Sequence, residues 1–308
     1  MQTDPTTDTT DGEKLNRLTR SATYASLSVA ITLVAAKVLA WQATASVSVL
    51  SSLVDSALDV LASGITFVAV WFALSPADSE HRFGHGKTEG LAALFQSLVI
   101  MGSALFVCYK AIQRFFDPAP LQQISTGVIV MLISVGLTVA LLSYQRYVVR
   151  RTGSVAIAAD AMHYKSDLLV NLGVAASLLL STLPSFSIID PLAGVAIAAY
   201  ILWGSLKIAS DSLGILLDRE IDTVERERIQ EIAERHQAVK GFHDLRTRSA
   251  GSVIFIQFHL EMAPEMTLFQ THVVLDEVED AIRAEFPRAE IIVHADPLGF
   301  PEQRDAFD

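Results

Sequence analysis

The sequence predicts a membrane protein in two parts: an all-α bundle of six transmembrane helices, then a small cytoplasmic α+β domain. Three observations carry this. Of 308 residues, 51% are hydrophobic and 19% charged, with a mean hydropathy of +0.40, whereas ordinary water-soluble chains carry roughly 25% charge. The apolar residues gather in six long segments, at 20–42, 46–75, 88–116, 122–149, 154–182 and 188–212. The charge is uneven: residues 1–212 hold 14 acidic and 13 basic side chains, net −1, and residues 213–308 hold 20 and 10, net −10. The expected organisation is a disordered tail over 1–14, a transmembrane domain over 15–212 and a cytoplasmic domain over 213–308.

The opening stretch, MQTDPTTDTTDG, is rich in Thr and Asp, with no basic start and no apolar run. It reads as a disordered tail without a cleavable signal. Each apolar segment is long enough to cross a bilayer, which takes about 20 residues. Lipid offers backbone groups no partners and no barrel-like alternation is present, so the spans are expected to be helices. Basic residues collect on one side. Lys14, Arg17 and Arg20 precede the first segment, Arg82 and Lys87 follow the second, and Arg146, Arg150 and Arg151 follow the fourth. The other side has Lys110 and Arg114. This asymmetry predicts both termini in the cytoplasm.

The last part reads as helix, strand, strand, helix, strand. Asp222 or Thr223 caps a helix running to about His236. Residues 241–248 and 252–261 flank a short turn at Ala250–Gly251, and VIFIQF within the second is rich in strand formers. A second helix over 268–286 stops at Pro287, and a last strand, Glu290–His294, ends before Pro297. This order suits a small sandwich with both helices on one sheet face. Its acidity excludes nucleic acid as a partner and favours cations. The single cysteine, Cys108, excludes an internal disulfide scaffold and reads as core filler.

The second segment contains Asp55 and Asp59 in SLVDSALDV, and the fifth contains His163 and Asp167 in DAMHYKSDLLV. Both pairs are spaced i, i+4, which stacks the side chains on one helix face. At about 1.5 Å per residue, both fall near mid-bilayer. Each charge there costs about 2.5–3.5 kcal/mol or more. The second segment has no Lys or Arg to neutralise its aspartates, and the spacing of Lys165 turns it to another face. A mobile positive charge is therefore expected, as protons or a metal ion. The plain alternative is an aspartate that hydrogen-bonds between helices, although two unpaired carboxylates on one face repel. Three carboxylates and an imidazole form an N/O set suited to tetrahedral Zn2+, and the absence of thiolate argues against Cu(I). Asp160 continues this face and is expected to line the entrance, or simply to match the helix dipole. Lys37 reads as snorkelling from the outer end of the first span.

Other histidines lie outside the spans. Asp78, His81 and His85 in DSEHRFGH are spaced by three and four, and Gly84 and Gly86 supply a bend that lets them converge on one ion. The alternative is solvated loop residues. In the tail, His294 and Asp296 are two apart on a strand and share a face. His259 shares a face with Val253 and Phe255, opposite Ile254, Ile256, Phe258 and Leu260. His272 begins a helical stripe with Leu275 and Val278. Each alone is an ordinary surface histidine; with His243 they form a set that favours metal. His236 matches no motif and reads as exposed.

Taken in order, the two intramembrane pairs, the six spans and the α+β tail resemble the cation diffusion facilitator family, in particular its bacterial zinc/ferrous-iron efflux branch. The resemblance covers roughly 15–298 and extends to PADSEHRFGHGKTEGLAAL, ADAMHYKSD, LLDRE, HDLRTR and FIQFHLEM. It implies a transporter, not an enzyme, exporting Zn2+, and also Cd2+ or Fe2+, from the cytoplasm in exchange for protons. It further implies a homodimer in the inner (plasma) membrane with a ferredoxin- or metallochaperone-like tail. Asp55, Asp59, His163 and Asp167 would be the transport site. Asp78, His81 and His85 would hold a second zinc ion with a relay or regulatory role. His243, His259, His272, His294 and Asp296 would form a binuclear zinc cluster at the dimer contact, bridged by Asp296. Lys87 would pair with Asp218, coupling loop to tail. Rival readings are a transporter for Fe2+ or Mn2+ and a membrane metal sensor without transport. An intramembrane metalloenzyme would need a motif such as HExxH, and none occurs.

Overall fold

Six long helices open the computed structural model, which describes residues 5–44, 47–116, 128–180 and 186–299. They are α1 (Pro5–Thr44), α2 (Val47–Ala73), α3 (Lys87–Phe116), α4 (Val128–Thr152), α5 (Val155–Leu180) and α6 (Phe186–Leu216). Among the described residues, four helices are long and apolar enough to cross a membrane, over Gly12–Gln42, Ser52–Ala73, Lys87–Gln113 and Pro191–Leu216. α4 ends in Arg146, Arg150 and Arg151, and the start of its expected span lies outside the described residues. α5 holds Asp160, Lys165 and Asp167 within little more than two turns. One expectation changes at the start: α1 begins at Pro5, so the described part of the expected disordered tail is helical. Proline's fixed φ suits a first helical position, where its missing N–H costs nothing.

The chain divides into two compact units, Glu13–Leu213 and Gly214–Asp308 with Met1–Gly12. In the first, small apolar residues bring the helices together. Ala22, Val70, Val148, Ala156 and Ile157 form one fully buried cluster, and Ile100, Ala104 and Ile201 another. Gly204 lies so close to Met162 that a Cβ would stand 2.4 Å from its Cε, the close approach that small residues permit between membrane helices. Polar stitches add direction. Ser63 links to Ser26 and to the Tyr164 hydroxyl, each at 3.0 Å, and Thr66 donates to Gln96 Oε1 at 2.7 Å. Leu58, Leu61, Phe106 and Trp203 are 58–66% exposed, apolar surface on a scale that calls for a cover other than water.

The second unit holds α7 (Thr223–Glu234), β1 (Gly241–Ala250), β2 (Val253–Met262), α8 (Leu268–Glu285) and β3 (Ala289–Pro297). The strands lie in the order β1-β2-β3, the first pair antiparallel and the second parallel. Gly251, at φ +64°, makes the tight β1–β2 turn, a conformation glycine adopts without strain. Thr267 and Gln270 close a reciprocal capping box at the start of α8. Ile229, Ile232, Val274, Val278 and Ile282 of the helices pack on Ile256, Phe258, Leu260 and Ile291 of the sheet. The opposite sheet face is left for histidines.

Candidate metal centres

In the helical unit, α2 and α5 bring three of the four expected ligands together. His163 Nε2 lies 3.0 Å from Asp59 Oδ1 and 3.6 Å from Asp167 Oδ2. One ligand atom from each residue falls within 4.8 Å of the others. His163 is buried, and Asp167 Oδ2 is buried without a hydrogen-bond donor. A buried carboxylate oxygen without a donor is one that a cation can satisfy. Asp55, one turn earlier on α2, is exposed and outside the cluster. Like charges one turn apart on a helix face repel.

The flanking charges settle two expectations. Lys165 faces elsewhere, as its spacing predicts: it donates to the Tyr200 hydroxyl and lies 4.8 Å from that ring's centroid. Lys37 reaches across to α2. Its ammonium donates to Ser52 O at 3.1 Å and Ser56 Oγ at 2.6 Å on α2. Asp160 is fully buried and lines no entrance. It accepts from Gln145 Nε2 at 2.6 Å, Gln96 Nε2 at 3.2 Å and Ser63 Oγ at 3.4 Å.

The α2–α3 loop builds the second cluster around Asp78. Its Oδ1 accepts the backbone N–H of His81 at 2.6 Å and of Glu80 at 2.9 Å, an Asx-type turn. The same carboxylate lies 3.2 Å from His81 Nδ1 and 3.3 Å from His85 Nε2. Gly84, at φ +75°, folds His85 back, and the His81 and His85 rings lie 4.7 Å apart, tilted by 45°. His85 Nδ1 is buried without a partner, so this donor set fits a metal ion.

In the tail, strand register does the work. His243 pairs with His259, and His259 with His294, so three imidazoles form one row across the sheet. Asp296 projects beside them: Oδ2 is 2.8 Å from His259 Nδ1 and 3.6 Å from His243 Nε2, and Oδ1 is 3.2 Å from His294 Nε2. A carboxylate with one oxygen toward each end of the row has bridging geometry, and this nitrogen and oxygen set fits Zn2+. A bulge at Asp244 (φ +51°) inserts one extra residue between His243 and Arg246, which keeps both on that face. Glu261, 3.7 Å from His243 Nδ1, is a neighbour the sequence reading missed; its place two residues after His259 was the available signal. His272 stands apart on α8, 3.6 Å from Asp276. His236, expected as merely exposed, is held at 2.8 Å by Glu277. Asp218 sits in the left-handed region just past α6, where Arg219 N bonds Gly214 O. This is a Schellman-type helix end, and within its unit Asp218 lies 3.4 Å from Arg248.

Residues 23–217 match the cation efflux transmembrane domain, and residues 221–298 match the cation efflux protein cytoplasmic domain. The chain belongs to the cation efflux family. Among its relatives, the cation-efflux pump FieF of Klebsiella pneumoniae is 43% identical over 285 residues, 92% of this chain and 95% of that one. Protein p34 of Rickettsia rickettsii is 40% identical over 292 residues, 95% of this chain and 96% of that one. A solved structure of CzrB is 31% identical over 26% of this chain and 99% of that one, with a TM-score of 0.25. The protein is therefore a membrane transporter of divalent metal cations with a cytoplasmic dimerisation domain, and not an enzyme. The sensor and metalloenzyme readings give way to that.

Proposed function

We propose that this transporter exports Zn2+, with Cd2+ and Fe2+ as further substrates, in exchange for protons. Asp59, His163 and Asp167 receive the ion, and Asp55 swings in as the fourth ligand once a dication cancels the repulsion that holds it off. The observation that carries this is the trio of donor atoms within 4.8 Å, set among apolar helices, with Asp167 Oδ2 lacking a donor. One imidazole with carboxylates favours Zn2+ over ions that prefer oxygen alone. These ligands must shed protons to take metal, so metal and protons exclude one another at the site. Helices that rock between two states would load each from its own side.

Further parts of the proposal rest on the residues already described. The domains run over 15–212 and 213–308, in an inner membrane, with both termini cytoplasmic and two copies forming a homodimer. Asp78, His81 and His85 hold a regulatory Zn2+, and Lys87 with Asp218 couples the loop to the tail. His243, His259, His294 and Asp296, with His272 at the dimer contact, hold structural Zn2+. When bound, that metal supplies positive charge and a crosslink between strands.

The test is uptake into proteoliposomes with a zinc-responsive dye inside. Asp59→Ala, His163→Ala and Asp167→Ala should each stop Zn2+ uptake while zinc binding by the tail persists. Imposing and then collapsing a pH gradient should speed and then slow uptake in the wild type. Sustained uptake by Asp59→Ala would refute the site, and indifference to the gradient would refute proton exchange. Repeating the assay with Cd2+, Fe2+ and Mn2+ ranks the substrates.

A further inference from the structure

We propose that Lys37 is a tethered counter-cation for the membrane site: a positioning residue whose fixed charge balances the empty carboxylates and loosens their hold on the metal. The inference rests on reading Asp59, His163 and Asp167 as the transport site.

A lysine near the end of a span ordinarily sends its ammonium out to the interface. The Lys37 ammonium is held across on α2, where Ser52 O and Ser56 Oγ accept from it. Ser52, Asp55, Ser56 and Asp59 follow the spacing i, i+3, i+4, i+7, one stripe along a helix. The ammonium is thus seated on the same stripe as both aspartates. Lys165, the cation that α5 carries beside its ligands, is occupied by Tyr200.

Two consequences follow from Coulomb's law. In the metal-free protein, three carboxylates in a poorly screened interior carry an excess of negative charge, and Lys37 supplies one compensating unit without being a ligand. Once a dication fills the site, the same ammonium repels it. In a partly buried setting, a unit charge held close to a bound ion changes its affinity by about tenfold or more. Lys37 therefore keeps the site from becoming a trap: it lowers affinity and speeds release.

The test uses full-length protein in proteoliposomes, with Zn2+ and then Cd2+ as probes. In Lys37→Met and Lys37→Gln, the half-saturating metal concentration should fall about tenfold, and the maximal rate should fall with it as release slows. Lys37→Arg, which keeps the charge, should stay near wild type. Half-saturation within twofold of wild type in the neutral variants overturns the proposal, as does an Arg variant that behaves like Met. Lys37→Gln retains a donor for Ser56 and carries the measurement should Lys37→Met fail to insert. Asp59→Ala is run alongside. If it still transports, the site reading fails; if it is dead while the Lys37 variants keep wild-type half-saturation, only the role of Lys37 fails.

Discussion

Asp78 does two jobs with one carboxylate. It closes the loop by accepting two backbone amides, and it faces both imidazoles of the cluster. The N–H of His81, ahead of the other contacts, holds its carboxyl below the usual carboxylate range. A group depressed in this way contributes stability above its unfolded value of about 3.9 and loses it only as pH falls through the lower folded value. The turn should thus persist through mildly acidic pH. Metal there should be lost earlier, because imidazoles ligate only when neutral. Asp78→Asn keeps an acceptor for the turn but removes the charge, so it should weaken Zn2+ binding at the loop by about tenfold and leave loop hydrogen exchange unchanged. Asp78→Ala should change both. Zinc titration of the full chain, with amide exchange over residues 78–85, separates the two variants.

The three-strand sheet shows what register can do with unremarkable histidines. His243, His259 and His294 come from three strands, and the pairing puts them side by side. His259, in the middle, touches both neighbours, with ring separations of 5.2 Å and 4.7 Å. His259→Ala should therefore reduce the zinc retained by purified full-length protein. His236→Ala removes the contact with Glu277 and should leave zinc content unchanged. Inductively coupled plasma analysis after gel filtration decides between them. Much of this element was legible beforehand. Alternation along β2 separated His259 from the core face, and the spacing of His294 and Asp296 placed both on one side. The position of His243 was not, because a one-residue bulge at Asp244 shifts every downstream residue of β1 and leaves no reliable mark in composition. The direction of Lys37 was equally hidden. A flexible four-carbon stem reaches several sites from one backbone position, and only the packing of α1 on α2 selects among them. Helical spacing, by contrast, does not bend, so Asp59, His163 and Asp167 could be read directly.

Across the whole molecule, charge is partitioned as sharply as hydropathy. The region up to residue 212 is nearly neutral, while the tail carries net −10. Two such tails brought together in a dimer repel one another, and bound dications reduce that repulsion. If two copies pair, a distance label on the tail of the full-length protein should report a shorter separation with Zn2+ than after chelation. Equal distances in the two conditions would show that metal does not drive closure. The two-part plan was readable because lipid and water impose opposite demands on composition. What the plan could not convey is how α5 carries its polar groups, with Asp160, His163 and Asp167 all held against neighbouring helices.

Asp160 has a mechanical consequence. Its carboxyl on α5 takes donors from α2, α3 and α4 at a single level of the bundle. Pulling any of them away strands a buried polar atom, at about 1–3 kcal/mol apiece. Sliding of one helix past another at that level would break these bonds, so Asp160 ties α2, α3, α4 and α5 into one register.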